Sequence, residues 1–384
     1  MNKIITVAVI GMGGYGINYV RAALERAEEY GIRCIGMVDI RPENCALYPE
    51  IQKQGIPVFE SIEELYEHCF PQLVFISTPI QFHCRQACYA MEHGSNVLCE
   101  KPAAATLEQA RKMAQTSHET GKFLAIGFQR CFAKATLKAK ADVLTGIYGK
   151  AIRFKTGIIM RRGLNYYQRG WAGKWKAGQD LIYDSVANNS AAHYLQNLLF
   201  MAGDSLSASA EVSDIRAEMY RVNDIENFDT ISASMKAGNG AELFFVATHA
   251  ADGDFGFEAC CEFEKGRIFF DPDENVWGVL EDGTRIEYGN AKEDYYAKIS
   301  QSVNRVRGIG VLTCDIHTAI PHTAFIQYIQ NNIPITDIQH LAQLRDNAFP
   351  GREPSMQKYI PGMTEAVKAS YENCAMLSRT LFGE

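Results

Sequence analysis

The sequence predicts an α/β chain: an N-terminal doubly wound parallel sheet followed by an α+β domain built on an open, mainly antiparallel sheet. Three observations carry this. Strand-like and helix-like patterns alternate from residue 3 to about residue 127; a glycine cluster, GMGGYG, separates the first strand from the first helix; and after about residue 145 strand candidates with turn signals take over. At 384 residues the chain exceeds one comfortable core, so two domains are expected, 1–129 and 130–384.

In order along the chain, strands are expected at 4–10, 33–38, 73–77, 96–99 and 122–127. Each is a continuous apolar run, the mark of a strand buried on both faces. Ser61 with Glu64, and Thr106 with Gln109, match the capping box that satisfies the free N–H groups of a helix start. Gly31, Gly94 and Gly121 follow helical patterns, where a left-handed residue ends a helix cheaply. In the second part, 151–160 alternates as a long strand, and a helix runs through residue 200. Gly238, Asn239 and Gly240 separate two alternating runs as a hairpin turn. Helices are expected near 293–305, 315–331, 336–347 and 357–381.

Composition limits the function. The formal charge of −7 opposes a general affinity for nucleic acid or anionic membrane. The 11 cysteines form no CxxC pair and no metal-ligand spacing, so no metal site is expected and a reducing compartment suits them. The start, MNKIITVAVIGMGG, enters the glycine cluster without an A-x-A cleavage site, as a strand does and a signal peptide does not. No apolar run reaches the length of a membrane span, so a cytoplasmic protein is expected.

Gly11, Gly13 and Gly16 form G-x-G-x-x-G directly after a strand and before a helix, the dinucleotide fingerprint of a Rossmann domain. The first glycine permits the tight turn, the second lets backbone approach a pyrophosphate, and the third allows close packing. Asp39 ends the second strand, 23 residues after Gly16, where a carboxylate accepts the hydroxyls of an adenosine ribose. NAD is therefore expected over NADP, with Arg41 able to tolerate a phosphate. Ser77, Thr78, Pro79 and His83 stand at the end of the third pattern, and Glu100, Lys101 and Pro102 at the end of the fourth, on the edge where open α/β sheets bind ligands. His83 reads equally as a cofactor contact or as a residue packed at its helix start.

GxGGYG, Asp39, TPxxxH and above all EKP resemble the glucose–fructose oxidoreductase, inositol dehydrogenase and MocA family, and the resemblance extends over the chain through GFQRCF and GIYGK. It implies hydride transfer between NAD(P) and a sugar or polyol, and a homo-oligomer, a dimer or tetramer, formed through the open sheet. By position it implies that Gly11, Met12, Gly13, Gly14, Tyr15, Gly16, Asp39, Ile40, Arg41, Ser77, Thr78, Pro79, His83, Glu100, Lys101 and Gln129 line the cofactor. Lys101 also reaches the reacting oxygen, which an ammonium at a strand end is suited to stabilise.

The family's acid-and-histidine motif falls on DSVANNSAAHY, Asp184 to Tyr194. His193 takes the histidine's position, and imidazole is the natural base for a hydroxyl proton. Asn189 stands where relatives carry an acid, Gln196 replaces a second acid, and Asp184 is the alternative bearer of the first acid's role. Arg162, Tyr167 and Trp171 lie in an aromatic and basic loop, RRGLNYYQRGWAGKWKAGQD, expected to close over the nicotinamide and the sugar. The leading expectation is an NAD-dependent dehydrogenase acting on a sugar, glycoside or cyclic polyol, with C3 as one candidate carbon. Its alternatives are a glycosidase working by C3 oxidation and elimination, with Tyr166, Tyr167 or Tyr183 as extra base; a non-catalytic NAD sensor; and, last, a nucleic-acid binder using the basic loop.

Overall fold

A computed structural model describes residues 3–293, 296–347 and 354–383. Two compact units divide the chain, Met1–Phe132 with Tyr296–Thr323, and Ala133–Tyr295 with Ala324–Glu384. Residues 296–323, expected in the second domain, thus pack with the first. The domain limits at 1 and 384, and positions 294 and 295 of the helix expected at 293–305, lie outside the described residues.

The first unit is a six-stranded parallel sheet of β1 (Ile5–Ile10), β2 (Ile32–Val38), β3 (Val58–Phe59), β4 (Leu73–Ile76), β5 (Asn96–Cys99) and β6 (Leu124–Ile126), in the order β3-β2-β1-β4-β5-β6. Order reverses beside β1, the crevice at which doubly wound sheets bind nucleotides. Five of these strands match the expected runs; two-residue β3 carries no periodic signal. Thr106 and Gln109 close a complete capping box, whereas Ser61 caps Glu64 N–H and the Glu64 carboxylate turns to Glu60 N–H instead.

In the second unit come β7 (Ala151–Ile159), the short pair β8 (Lys176–Ala177) and β9 (Asp180–Leu181), then β10 (Val212–Arg221), β11 (Thr230–Ala237) and β12 (Glu242–Thr248). They are followed by β13 (Phe257–Phe263), β14 (Gly266–Phe270), β15 (Asn275–Leu280), β16 (Arg285–Asn290), β17 (Ile335–Asp337), β18 (Gln343–Asn347) and β19 (Ser355–Tyr359). Nine of them form one sheet, β16-β15-β14-β13-β7-β12-β11-β10-β17, antiparallel except where β7 meets β12 and β10 meets β17. The expected hairpin joins β11 to β12.

Alternation sorts the sheet's residues. Phe154, Ile158, Ala233, Leu243 and Phe245 pack on Leu195, Leu198 and Leu199 of the helix Ala192–Met201, while Phe244 and Val246 point the other way onto Met363 and Val367 of the helix Met363–Asn373.

Two expected helices are corrected. The segment 336–347 is β17, a tight turn Gln339–Leu341 and β18, because strand pairing of Ile335 with Met219 and of Gln343 with Tyr359 outweighs local propensity. The segment 357–381 is broken at Pro361 and Gly362 into β19 and the helix Met363–Asn373, with a separate wide turn at Ser378–Phe382.

Candidate functional site

Each unit carries part of the expected site. In the first, β1, β2, β4 and β5 run parallel, so Gly11, Asp39, Ser77 and Glu100 share one edge. Gly11 turns with φ 85°, and a side chain there would meet Ser77 O at 2.7 Å. At Gly16 an added Cβ would stand 2.0 Å from Gly11 O, so this glycine is demanded by the fold's own packing. Gly13 is different. Its backbone is ordinary, φ −80° and ψ 169°, and an added Cβ would meet nothing within 4 Å. The protein itself does not require a glycine there, whereas a pyrophosphate lying on the backbone does.

Asp39 is held by two backbone donors, Met12 N–H to Oδ2 at 2.7 Å and Arg41 N–H to Oδ1 at 2.9 Å. That fixes a carboxylate beside the turn, and the helix Ile17–Glu25 begins without a side-chain cap, its first N–H groups and dipole suited to phosphate. These features fit NAD. Ile40 is 77% exposed next to Asp39, and Gln129 begins the short turn Gln129–Phe132.

The EKP segment is tied from below. Glu100 is buried; Tyr19 OH donates to its Oε1 at 2.6 Å, Lys298 pairs with the same oxygen, and Lys101 N–H donates to Oε2 at 3.2 Å. Burial pushes the Glu100 carboxyl up, but Lys298, Tyr19 and Lys101 outweigh it and hold it below the ordinary range. Lys298 also donates to Tyr15 OH at 3.0 Å. The ring nitrogens of His83 lie 2.9 Å from Pro102 O and 2.8 Å from Thr78 O, so the neutral ring donates to one strand-end segment and packs against the other. Thr78 Oγ1 donates to Gln86 at 2.6 Å.

In the second unit the parallel pair β7 and β12 ends on one edge, where Met160 N–H donates to Thr248 O (2.9 Å) and Arg162 N–H to His249 O (3.3 Å). Tyr183, left-handed at φ 47°, leads into Asp184, and Ser185 caps the wide helical turn Val186–Ser190 by accepting from Asn188 N–H at 3.2 Å. Left-handed non-glycine residues and wide turns both recur at functional positions.

Asp184 and Asn189, the two candidates for the family's acid, are bonded to each other. Asn189 Nδ2 donates to Asp184 Oδ1 at 2.7 Å, Gly173 N–H donates to Oδ2 at 2.6 Å, and the Tyr166 hydroxyl lies 3.4 Å from the same amide. A buried carboxylate and an amide are thus joined as one hydrogen-bonded unit.

His193 is half-buried in the first turn of the helix Ala192–Met201. Gln196 is buried one turn further and donates to Ser209 Oγ at 2.8 Å.

Tyr167 OH bonds His249 Nδ1 at 2.8 Å, and His249 Nε2 in turn bonds the Ser190 hydroxyl. A neutral imidazole donates at one nitrogen and accepts at the other, so it fixes both hydroxyls at once. Tyr166 stacks edge-on against Tyr167 and His249 and stands 6.2 Å from Trp171, with Arg162 and Arg169 each 5.0 Å from its ring. Burial first, and Asp184 second, push the Tyr166 phenol up to about 12 against Arg162 and Arg169; Tyr167 is also pushed up, chiefly by burial.

Sequence reading named Arg162, Tyr167, Trp171, Asp184 and Asn189, which this unit gathers, but it missed Ser190, His249 and, in the first unit, Lys298. The only signal for His249 was its place at the end of an apolar run; which strand it would end beside is a matter of sheet order.

Residues 5–128 match the oxidoreductase family with NAD-binding Rossmann fold, GFO_IDH_MocA. D-glucoside 3-dehydrogenase of Escherichia coli K12 is 39% identical over 92 residues, 24% of this chain and 26% of the relative. Glycosyl hydrolase family 109 protein 1 of Bacteroides fragilis YCH46 is 25% identical over 264 residues, 62% of this chain and 55% of the relative. The matched parts span less than two thirds of either relative. In three dimensions the chain is similar to the WlbA dehydrogenase of Bordetella pertussis, solved with NADH and UDP-GlcNAcA, at 20% identity and TM-score 0.69 over 86% of this chain and 96% of that one, a likeness of fold. The Asp39-anchored glycine turn and the EKP strand end both lie within residues 5–128, the segment similar to the Gfo/Idh/MocA oxidoreductase family with an NAD-binding Rossmann fold.

Proposed function

We propose that the protein is an NAD-dependent oxidoreductase interconverting a secondary hydroxyl and a ketone on a sugar, glycoside or cyclic polyol. The observation that carries this reading is the built nucleotide turn, with Asp39 held for ribose hydroxyls and Gly13 opening onto space, on the strand edge that also presents Lys101. The likeness to a D-glucoside 3-dehydrogenase supports the substrate class.

NAD, when bound, supplies the hydride acceptor. The chain handles the proton and the oxygen. His193 takes the substrate hydroxyl proton, a transfer suited to imidazole near neutral pH. The Lys101 ammonium stabilises the oxygen as negative charge develops on it. Asp184 and Asn189 act as one fixed unit that orients neighbouring hydroxyls, while Tyr166 and Trp171 offer ring faces to the sugar. Ser77, Pro79, His83, Glu100 and Gln129 complete the cofactor side, His83 by packing between Thr78 O and Pro102 O and Glu100 by accepting from Lys101 N–H.

A second reading, an NAD-dependent glycosidase acting by transient C3 oxidation and elimination, is favoured by the family 109 relative, which aligns over 62% of this chain. Its extra base would be Tyr166, Tyr167 or Tyr183; burial raises the first two phenols, and Tyr167 OH lies 2.8 Å from His249 Nδ1.

The test is NADH absorbance after incubating purified protein and NAD with glucosides, free hexoses and inositols. Reduction by at least one of them supports the leading reading. Aglycone release without net NADH selects the second, and no reaction with any sugar or polyol contradicts both.

A further inference from the structure

We propose that the sugar substrate carries an oxyanion, a carboxylate in preference to a phosphate, that pairs with Arg162; the inference rests on the sugar-binding reading above and narrows its substrate class. Arg162 is 8% exposed, and among the described residues no carboxylate lies within ion-pair distance of it. Its Nε is buried without a hydrogen-bond partner, and Nη1 donates to Arg161 O at 3.2 Å. A buried guanidinium without a paired carboxylate is costly to keep for packing alone.

The neighbouring carboxylates are held by other donors and form no ion pair with the guanidinium. Asp184 already accepts from Gly173 and Asn189, and Asp229 from Val222, Asn223 and Thr230. The ring of Tyr166 lies against the guanidinium, but its phenol is held protonated and brings no charge.

Arg162 lines a cavity of about 360 Å³ with Ile158, Met160, Tyr194 and Phe257. That volume is at the lower end for small-molecule sites and suits a monosaccharide. The other charged lining groups are matched. Arg161 pairs with Asp254 through two bonds of 2.8 and 2.7 Å, and Lys292 faces Glu274 at 3.9 Å. Arg162 therefore leaves a surplus of one positive charge in a pocket whose wall includes Tyr194, the residue after His193. Arginine's planar fork matches a carboxylate, and a single surplus positive charge balances a carboxylate monoanion but leaves a phosphate dianion half-compensated.

Calorimetric titration of the NADH-loaded protein with methyl glucuronide, methyl glucoside and a hexose phosphate tests this, in wild type and in R162Q and R162K. The glucuronide should bind about 10- to 100-fold tighter than the glucoside, and R162Q should bring that ratio close to one. R162K keeps the charge and loses the fork, so it should narrow the ratio; it serves as the readout if R162Q folds poorly. Equal binding of glucoside and glucuronide in wild type, or a ratio that survives in both variants, overturns the proposal. Tightest binding of the hexose phosphate overturns the carboxylate preference. Failure of the wider reading looks different: Arg162-dependent glucuronide binding with no NADH formed from any sugar removes the oxidoreductase and leaves the anion site, while NADH formed from neutral sugars alone does the reverse.

Discussion

His83 and His249 are histidines with an oxygen atom beside each ring nitrogen, and they make different predictions. His83 is buried between the Thr78 and Pro102 carbonyls, and burial holds its pKa below the ordinary 6.5 against the pull of Thr78, Pro102 and Glu100. As pH falls through 6.5 the unfolded chain takes up a proton that the folded ring resists, so the unfolded state binds more protons and stability declines. Urea denaturation over about pH 5 to 7 should show that decline, and H83Q should show a shallower one. His249 holds the hydroxyls of Tyr167 and Ser190. H249A should lower kcat/KM by about tenfold or more and leave NADH affinity near the wild-type value, with H249Q recovering part of the loss because its amide keeps one donor and one acceptor. His193, Lys101, Asp184 and Asn189 were legible as residue types in a motif. That Asp184 and Asn189 are hydrogen-bonded partners rather than rivals was not, because the wide turn Val186–Ser190 that brings them together leaves no periodic trace.

At the level of elements, the turn after β1 separates what the fold needs from what the cofactor needs. G13V places a side chain in open space on an extended backbone, so its melting temperature should match wild type within a few degrees while NADH affinity falls sharply. G16A drives a methyl group to within 2.0 Å of Gly11 O and should destabilise the first unit itself. Thermal melts beside NADH fluorescence titrations distinguish the two; equal effects of both variants on stability would contradict the assignment of Gly13 to the pyrophosphate. The strands around this turn were readable because apolar runs in a parallel sheet are buried on both faces. The segments 336–347 and 357–381 were misread for the opposite reason: β17 and β18 exist through partners far away in sequence, and the break at Pro361–Gly362 interrupts an otherwise helical composition.

Across the whole molecule, the alternating first part and the strand-rich second part were visible in the sequence, and the order of each sheet was not. The return of 296–323 to the first unit, which brings Lys298 to Glu100, left no compositional boundary to read. Among the described residues no helix is long and apolar enough to cross a membrane. The formal charge of −7 predicts no salt-dependent binding to a generic oligonucleotide, which a fluorescence-anisotropy titration checks. The central claim is that the chain uses bound NAD for chemistry with His193 as base. Its most direct test is the rate of NADH formation by H193A, measured with a reactive sugar beside the NADH dissociation constant. The account predicts turnover lower by about 10²- to 10⁴-fold with the dissociation constant unchanged; turnover equal to wild type would contradict it.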